Sequence, residues 1–161
     1  MDIQSKIMDA RSLAGKLNGF RKAGKIVVFT NGCFDLLHVG HVRYLTAARN
    51  EGDLLVVGLN SDASIQLIKG SQRPIVEQAQ RSEILASLQV VDYVTLFDEP
   101  DPLILIQRLK PAVLVKGADW SADDIVGADF VKSRGGRVVR VPLVKDMSSS
   151  NMIERIVKRF C

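Results

Sequence analysis

The stretch Thr30-Asn31-Gly32-Cys33-Phe34-Asp35-Leu36-Leu37-His38-Val39-Gly40-His41 decides the fold of this chain. It begins at the end of Ile26 to Thr30, a short β-branched and aromatic run that predicts a strand. The polar pair Asn31-Gly32 then predicts a turn, and a helical pattern starts near His38. The stretch therefore predicts a strand, a loop and a helix in that order.

The same alternation recurs along the rest of the chain. Further strands are predicted, with helix-like segments between them, at Leu54 to Leu59, Tyr93 to Leu96, Val113 to Lys116 and Arg137 to Val141. Continuous apolar runs such as Leu54 to Val57 are typical of parallel strands that are buried on both faces. We predict a doubly wound α/β domain with a Rossmann-like, five-stranded parallel sheet.

The two ends of the chain predict helices. Apolar residues recur at helical spacing from Ile7 to Leu17, which predicts a helix over Ser5 to Ala23 that ends near Gly24. A last helix, about Ser149 to Phe160, begins in a serine cluster and carries an apolar stripe. We expect residues 1–24 to pack as an N-terminal helix on a main domain of residues 25–161.

Composition excludes several classes of protein. The chain has 161 residues, 47% hydrophobic and 25% charged, which fits one soluble globular domain. No apolar run approaches the roughly 20 residues of a membrane span, and no signal peptide is recognisable, so we expect a cytoplasmic protein. Cys33 and Cys161 are expected to be thiols. The formal net charge of +4 fits phosphorylated small molecules as well as nucleic acid, and the basic residues form no long run.

His38 and His41 are the only histidines, and they stand three residues apart at a helix start. Their rings should share one face, and Gly40 leaves the backbone open to a closely approaching phosphate. Because a helix N-terminus adds free amides and positive dipole character, the motif predicts an anion receptor. The alternatives are two exposed imidazoles on a capped helix, or a metal site.

Ligands of doubly wound sheets bind beyond the carboxyl ends of the strands. Chemistry-bearing residues follow the first strand and also three others, at Asn60-Ser61-Asp62, Lys116 to Trp120 and Lys145 to Asn151. Each has a structural alternative. Lys69 could be a solvated surface lysine, Trp120 a core residue, one serine of Ser148 to Ser150 a helix cap, and Arg81 the partner of Glu77 or Glu83.

The segment from Gly32 to His41 resembles the signature of the cytidylyltransferase-like nucleotidyltransferases. Ile125-Val126-Gly127-Ala128-Asp129 and Gly135-Gly136-Arg137-Val138-Val139 resemble the heptose 1-phosphate adenylyltransferases within that group. The resemblance covers about Lys25 to the C-terminus. Two departures from the family pattern stand out: serine replaces the frequent threonine in the triplet, and Val144-Lys145-Asp146-Met147 stands where choline-type and glycerol-type enzymes have Arg-Thr-x-Gly. The absence of Arg-Thr-x-Gly disfavours CTP.

The resemblance implies that residues 25–161 are a nucleotidyltransferase domain. It implies transfer of AMP from ATP to D-glycero-β-D-manno-heptose 1-phosphate, which yields ADP-heptose for lipopolysaccharide cores and pyrophosphate. Mg²⁺ would act through the ATP phosphates, with no metal held by protein side chains. The expected partners are ATP and a sugar 1-phosphate, with no nucleic acid or membrane. We also expect a homodimer or higher homo-oligomer, and a separate heptose kinase, since the chain begins with Met1.

The resemblance also implies site residues. Catalytic roles fall to His38, His41 and Lys69, while Phe34 and Asp35 shape the turn. The residues expected to bind ATP are Thr30, Asn31, Gly32, Cys33, Phe34, Asp35, Gly40, Lys116, Gly117, Asp119, Trp120, Ser148, Ser149 and Ser150. Those expected to bind the sugar phosphate are Asn60, Asp62, Arg73 and Arg81.

Three alternatives stay open. The first is a cytidylyltransferase that uses CTP with glycerol 3-phosphate or phosphoethanolamine. The second is a fragment of a class I tRNA synthetase, whose histidine and lysine motifs are distant cousins. The third is a regulator that binds nucleotide or nucleic acid without catalysis, which the basic composition favours.

Overall fold

The computed structural model describes residues 2–121, 124–145 and 147–161, so Met1 and Asp146, both quoted above, lie outside the described residues. Five parallel strands form one sheet in the order β3-β2-β1-β4-β5. The strands are β1 (Val27–Gly32), β2 (Leu54–Asn60), β3 (Tyr93–Phe97), β4 (Val113–Gly117) and β5 (Arg137–Val141). This confirms the predicted doubly wound α/β fold.

Helices connect consecutive strands and flank the sheet. They are α1 (Ala10–Lys22), α2 (Val39–Arg49), α3 (Asp62–Lys69), α4 (Gln78–Ser87), α5 (Leu103–Leu109), α6 (Ala128–Ser133) and α7 (Ser149–Phe160). The bounds of α7 are those that the sequence predicts. None of these helices, in the part of the chain that the structure describes, has the length and apolar character needed to cross a membrane.

Alternate residues of the strands supply two apolar layers. Val28, Leu55 and Val57 face one layer, which includes buried residues of α2 and α4. Phe29 and Val56 face the other layer, which includes buried residues of α1, α5 and α6. Both faces of the inner strands β1, β2 and β4 are therefore largely buried, which explains continuous apolar runs such as Leu54 to Val57, whereas the edge strand β5 is partly exposed.

The N-terminal helix begins later than predicted. A 3-10 turn covers Gln4–Lys6, and Ile7 then forms a parallel bridge with Val94, so Ser5 to Asp9 is not part of α1. The Asp9 side chain accepts hydrogen bonds from the N–H groups of Arg11 and Ser12, at 2.9 and 3.0 Å, and so caps the helix at Ala10. The cap at Asp9 thus determines where the helix begins, although apolar residues at helical spacing begin earlier, at Ile7. The boundary between residues 24 and 25 stays a prediction.

Two further expectations were wrong in local detail. Asn31-Gly32 is not a turn but the end of β1, where it pairs with Gly58 and Leu59 of β2. The sequence also predicts a helix over Arg81 to Leu88, but α4 begins at Gln78 and Arg81 lies one turn inside it. Pairing with a long neighbouring strand extends β1 beyond its apolar residues.

The sheet order determines where a ligand can bind. β1 is central: the chain continues from β1 to β2 and β3 on one side, and then crosses from β3 to β4 and β5 on the other side of β1. A crevice forms at such a switch point, beyond the carboxyl ends of the strands.

Candidate active site

A cleft of about 480 Å³ opens at the carboxyl ends of β1, β2 and β4. All the site residues that the resemblance implies line it, except Thr30, Asp62 and Arg81. It brings together the loop after β1, the end of α3, the residues after β4 and the start of α7. Within the described ranges, no group of three or more histidine, cysteine or acidic side chains could hold a metal ion.

His38 and His41 form a stacked pair in this cleft. Their ring centroids lie 3.8 Å apart and the ring planes differ by 21°. His38 directly precedes α2, and its backbone N–H faces His41 Nδ1 at 3.4 Å. Phe34, whose centroid lies 5.1 Å from that of His41, flanks the pair.

The buried environment favours the neutral form of both imidazoles. Burial lowers the pKa of His38, and burial together with the charges of His38 and Lys69 lowers the pKa of His41 to about 4. Both ring nitrogens of His38 are buried and have no hydrogen-bond partner among the described residues. Such a pair is ready to donate hydrogen bonds to an anion, whose charge would return the pKa values toward the ordinary range.

Two glycines let aromatic rings approach the backbone of this loop. A Cβ at Gly40 would lie 2.9 Å from Cε1 and Nδ1 of His38. A Cβ at Gly32 would lie 2.9 Å from Cε2 of Phe34. Gly40 therefore has a packing role beside His38, and the predicted approach of a phosphate to its backbone stays a prediction.

Asp35 ties the loop after β1 to residues 73–76. Its buried carboxylate accepts hydrogen bonds from Arg73 Nε at 2.7 Å and from the N–H groups of Ile75 and Val76, both at 2.9 Å. Burial raises the pKa of Asp35, but these hydrogen bonds outweigh burial and hold the pKa below its usual value. Arg73 lines the cleft, and its Nη2 is buried without a partner in the described part of the chain.

Lys69 is the last residue of α3, and its exposed side chain lines the cleft. Its charge lowers the pKa of both His41 and Cys33, which puts the ammonium within electrostatic range of the histidine pair. For the Cys33 thiol, burial is the larger influence and raises the pKa. A mobile cation facing two uncharged imidazoles can neutralise a bound phosphate.

The residues that follow β4 make a separate group. Lys116 is 8% exposed and its Nζ donates a hydrogen bond to Asn31 Oδ1. Burial lowers the pKa of Lys116 to about 8, against the opposing charge of Asp119. The same Nζ lies 5.7 Å from the ring centroid of Trp120. Because Trp120 is 47% exposed in the cleft, the alternative of core packing is excluded.

The three serines at the start of α7 differ in their contacts. Ser148 Oγ accepts a hydrogen bond from the N–H of Asn151 at 3.0 Å, so Ser148 is the helix cap. Ser149 Oγ donates to the carbonyl of Leu36 at 2.9 Å. Ser150 is exposed and lines the cleft. The capping alternative therefore holds for Ser148 only.

Arg81 is buried below the cleft rather than exposed to it. Its guanidinium donates to the carbonyls of Cys33 and Asn60, at 2.7 and 2.8 Å, and pairs with Asp62 Oδ1 at 2.7 Å. The expectation that Arg81 binds the sugar phosphate is therefore corrected: its donors join segments of the fold. Its ion-pair partner is Asp62, not Glu77 or Glu83.

Two other predicted ligands lie outside the cleft lining. Asp62 is held by Arg81, as described above, and its expected contact with the sugar phosphate gains no support. Thr30 is fully buried, and its hydroxyl lies 2.7 Å from the hydroxyl of Tyr44. Tyr44 in turn donates to the carbonyl of Val115 at 3.2 Å. Thr30 is thus connected to the cleft by its hydrogen bond to Tyr44, which lines the cleft.

The cytidylyltransferase-like family profile matches residues 29–155, which span the whole site. The chain belongs to the cytidylyltransferase-like family. The resemblance noted at residues 32–41 is therefore confirmed. Members of this family are nucleotidyltransferases in type, which agrees with a cleft built from histidines, cations and helix starts.

Curated relatives in the cytidylyltransferase-like family match nearly all of the chain. A protein described as bifunctional protein HldE from Syntrophotalea carbinolica is 54% identical over 160 residues, 99% of this chain and 33% of its own length. Proteins of the same description from Geobacter sulfurreducens and Geobacter metallireducens are 54% and 52% identical, over 97% and 99% of this chain and 32% of their own length. The chain thus spans about a third of these relatives.

Solved structures share the fold. The lipopolysaccharide core biosynthesis protein from Thermoplasma volcanium is 32% identical, with a TM-score of 0.62, over 76% of this chain and 98% of its own. Pantoate-beta-alanine ligase from Francisella tularensis is 19% identical, with a TM-score of 0.60, over 95% of this chain and 79% of its own, which shows the fold alone.

Sequence reasoning missed part of the cytidylyltransferase-like cleft. Lining residues that it did not assign to the site are Tyr44, Ile68, Pro100, Asp101, Pro102, Val126, Leu143, Val144 and Met147. Of these, residues 100–102 directly follow β3, at a carboxyl end where a ligand is expected. Their position after a predicted strand was the available signal. The apolar members carry no chemical signature and could be assigned only from the fold.

Proposed function

We propose that this chain is an adenylyltransferase that joins D-glycero-β-D-manno-heptose 1-phosphate to ATP and releases ADP-heptose and pyrophosphate. The observation that carries the proposal is the stacked, neutral pair of His38 and His41 in one cleft with three cations, with the ring nitrogens of His38 unpartnered among the described residues. The cations are Lys69, Arg73 and Lys116. Supporting it are the heptose-type segments after β4 and the relative described as a lipopolysaccharide core biosynthesis protein.

In the proposed reaction a phosphate oxygen of the sugar 1-phosphate attacks the α-phosphorus of ATP. The bond from that phosphorus to the oxygen bridging to the β-phosphate breaks, and pyrophosphate leaves with the bonding electrons. The attacking oxygen is already an anion, so no proton must be removed. The barrier comes from bringing two anions together in line, which cations and fixed hydrogen-bond donors relieve.

The residues divide this work by position. Lys69 and the free Nη2 of Arg73 lie on the β2 side and would neutralise the acceptor phosphate. His38 and His41 would donate hydrogen bonds to the α-phosphate as its charge builds. Ser150 and the N-termini of α2 and α7 would hold the leaving phosphates.

The other side of the cleft suits the nucleoside. Trp120 offers a half-exposed aromatic face at the carboxyl end of β4, with the Lys116 ammonium above it. Asn31 and Asp119 flank that ammonium. A planar base could stack on such a face. The base would then lie on the β4 side and the sugar phosphate on the β2 side.

Mg²⁺ is proposed as part of the substrate, bound to the β- and γ-phosphates of ATP. The cleft offers cations and helix starts rather than a cluster of carboxylates, so most of the ion's remaining ligands would be water. The ion would reduce repulsion between the phosphates that the protein donors surround.

The remaining partners are proposals from the sequence. A sugar 1-phosphate requires a kinase that phosphorylates the anomeric hydroxyl, so a heptose kinase activity would supply the substrate.

We also propose that the chain forms a homodimer or a higher homo-oligomer. Sedimentation of the purified chain at two concentrations tests this oligomeric state. A cytoplasmic location agrees with the nature of these substrates.

A pyrophosphate-release assay tests the proposal. Purified chain is mixed with Mg²⁺, either ATP or CTP, and a panel of sugar 1-phosphates, glycerol 3-phosphate and phosphoethanolamine. We expect release with ATP and the heptose 1-phosphate, and none with the double variant His38→Asn, His41→Asn. Turnover with CTP and a non-sugar phosphate would replace the proposal by the cytidylyltransferase alternative, and no turnover with any pair would contradict both.

A further inference from the structure

Asp101 is a cleft carboxylate to which the proposed chemistry gives no role. Among the described residues that line the cleft, the acidic side chains are Asp35, Asp101 and Asp119. The Asp35 carboxylate already accepts hydrogen bonds from Arg73 and from two backbone N–H groups. Asp119 lies beside Lys116 on the β4 side. Asp101 follows β3 and is therefore the acidic group on the acceptor side of the cleft.

The loop that carries Asp101 is held in place at both ends. Before it, the N–H of Ser61 donates to the carbonyl of Phe97 at 2.9 Å, and Ser64 Oγ donates to the carbonyl of Glu99 at 2.8 Å. Ser64 Oγ also accepts from Asn60 Nδ2 at 2.9 Å, which links the loop to the cleft floor. The loop is thereby fixed relative to Asn60, the last residue of β2.

The carboxylate itself is oriented but still accessible. Asp101 Oδ1 accepts a hydrogen bond from the N–H of Leu103 at 2.9 Å, at the start of α5. Pro100 and Pro102 flank it, and proline restricts the backbone on both sides. The Asp101 side chain remains exposed in the cleft. A fixed carboxylate with free lone pairs is a specific acceptor of hydrogen bonds.

We propose that Asp101 determines sugar specificity by accepting hydrogen bonds from hydroxyl groups of the sugar ring. This inference rests on the proposed function. A carboxylate repels phosphate, so Asp101 would face the uncharged part of the acceptor while Lys69 and Arg73 bind its phosphate. A sugar without the matching hydroxyl would leave the carboxylate desolvated and unpaired, and sites of that kind discriminate strongly.

The test compares the heptose 1-phosphate with analogues that lack one ring hydroxyl each, at saturating ATP. For wild type we expect kcat/KM to fall about tenfold or more for at least one analogue. In Asp101→Ser, which retains an acceptor for the N–H of Leu103, we expect that ratio to fall toward one while KM for ATP stays within about twofold. The matched control is Asp98→Ser, an exposed acid on the same loop that does not line the cleft.

The outcomes separate the two ideas. If wild type discriminates and Asp101→Ser keeps the same ratio for every analogue, or if wild type ignores every deletion, the role of Asp101 is wrong and the proposed function stands. If wild type turns over no sugar 1-phosphate with ATP, the proposed function itself is wrong and this inference falls with it. Should Asp101→Ser fail to fold, Asp101→Asn replaces it, and we expect an intermediate ratio because the amide oxygen still accepts without a charge.

Discussion

The imidazoles of His38 and His41 stack with centroids 3.8 Å apart, and burial lowers the pKa of His41 to about 4. Two histidines this close cannot both be charged without strong repulsion. The pair is therefore neutral at pH 7 before any anion binds. This relationship sets both the catalytic and the pH-dependent behaviour expected of the cleft.

Replacing either histidine by alanine should lower kcat far more than it raises KM for ATP. Charge builds on the α-phosphate in the transition state, so a donor placed there acts mainly on that state. We expect a loss of roughly 10²-fold or more in kcat, by analogy with removing one oxyanion donor. Steady-state pyrophosphate release measures both constants. Near-normal turnover in His38→Ala and His41→Ala would contradict the assignment.

The stability of the free protein should decrease as the pH falls from about 6.5 to about 4. The ordinary histidine pKa is 6.5 and that of folded His41 is about 4, so the unfolded chain binds more protons in this window. Stabilisation by neutral His41 is complete above pH 6.5 and is lost on acidification. Urea unfolding across this range should show a weaker pH dependence in His41→Asn. If the free energy of unfolding changes equally with pH in wild type and in His41→Asn, His41 is not buried as a neutral imidazole.

Lys69→Ala should impair the use of both substrates without changing thermal stability, because the side chain is exposed. Arginine should rescue only in part, since a planar guanidinium does not replace a compact ammonium. The matched control is Lys132→Ala, an exposed lysine in the last turn of α6 that does not line the cleft. The measurements are KM for ATP, KM for the sugar phosphate and the melting temperature of each variant. Wild-type kinetics in Lys69→Ala would make it an ordinary surface lysine.

The three serines should separate capping from phosphate binding. Ser148→Ala removes the cap of α7 and should cost about 1 kcal/mol of stability. Ser150→Ala should leave the melting temperature unchanged and weaken ATP binding in calorimetry. Ser149→Ala should also lower stability, since its hydroxyl donates to Leu36. Unchanged ATP affinity in all three variants would rule out a phosphate role for the triplet.

Arg81→Ala should destabilise the fold by about 3 kcal/mol, because a fully buried guanidinium is removed and its acceptors lose their donor. Four acceptors, the carbonyls of Cys33, Asn60 and Val76 and the Asp62 carboxylate, would lose their donor. Chemical denaturation measures the loss, with the exposed Arg108→Ala as control. A variant of wild-type stability but without sugar-phosphate binding would restore the ligand role first expected of Arg81.

Much of the fold could be predicted because its signals are local. Runs rich in β-branched and aromatic residues predict the five strands, and the serine cluster predicts the start of α7. What failed depends on partners distant in sequence. Asn31-Gly32 looks like a turn until β2 is present to pair with it, and Arg81 looks like a ligand until its acceptors on three separate segments are known.

The site shows the same division. Charged and aromatic residues beside the strand ends, such as Lys116 and Trp120, could be named from the sequence and do line the cleft. Asp101 is not predicted as a site residue, because the sequence Pro100-Asp101-Pro102 is typical of an ordinary loop. Leu143 is not predicted either, because a leucine that lines a cleft has the same chemical character as a leucine in the core.

The single tryptophan of the chain, Trp120, stands half exposed in the cleft beneath the Lys116 ammonium. The protein therefore carries one indole fluorophore, and it lies beside the functional groups. When the tryptophan is excited selectively over the two tyrosines, ligand occupancy of this half of the cleft can be followed by emission intensity without any label. Tryptophan emission from this chain therefore reports on the cleft, and the apolar layers of the sheet contribute only tyrosine emission.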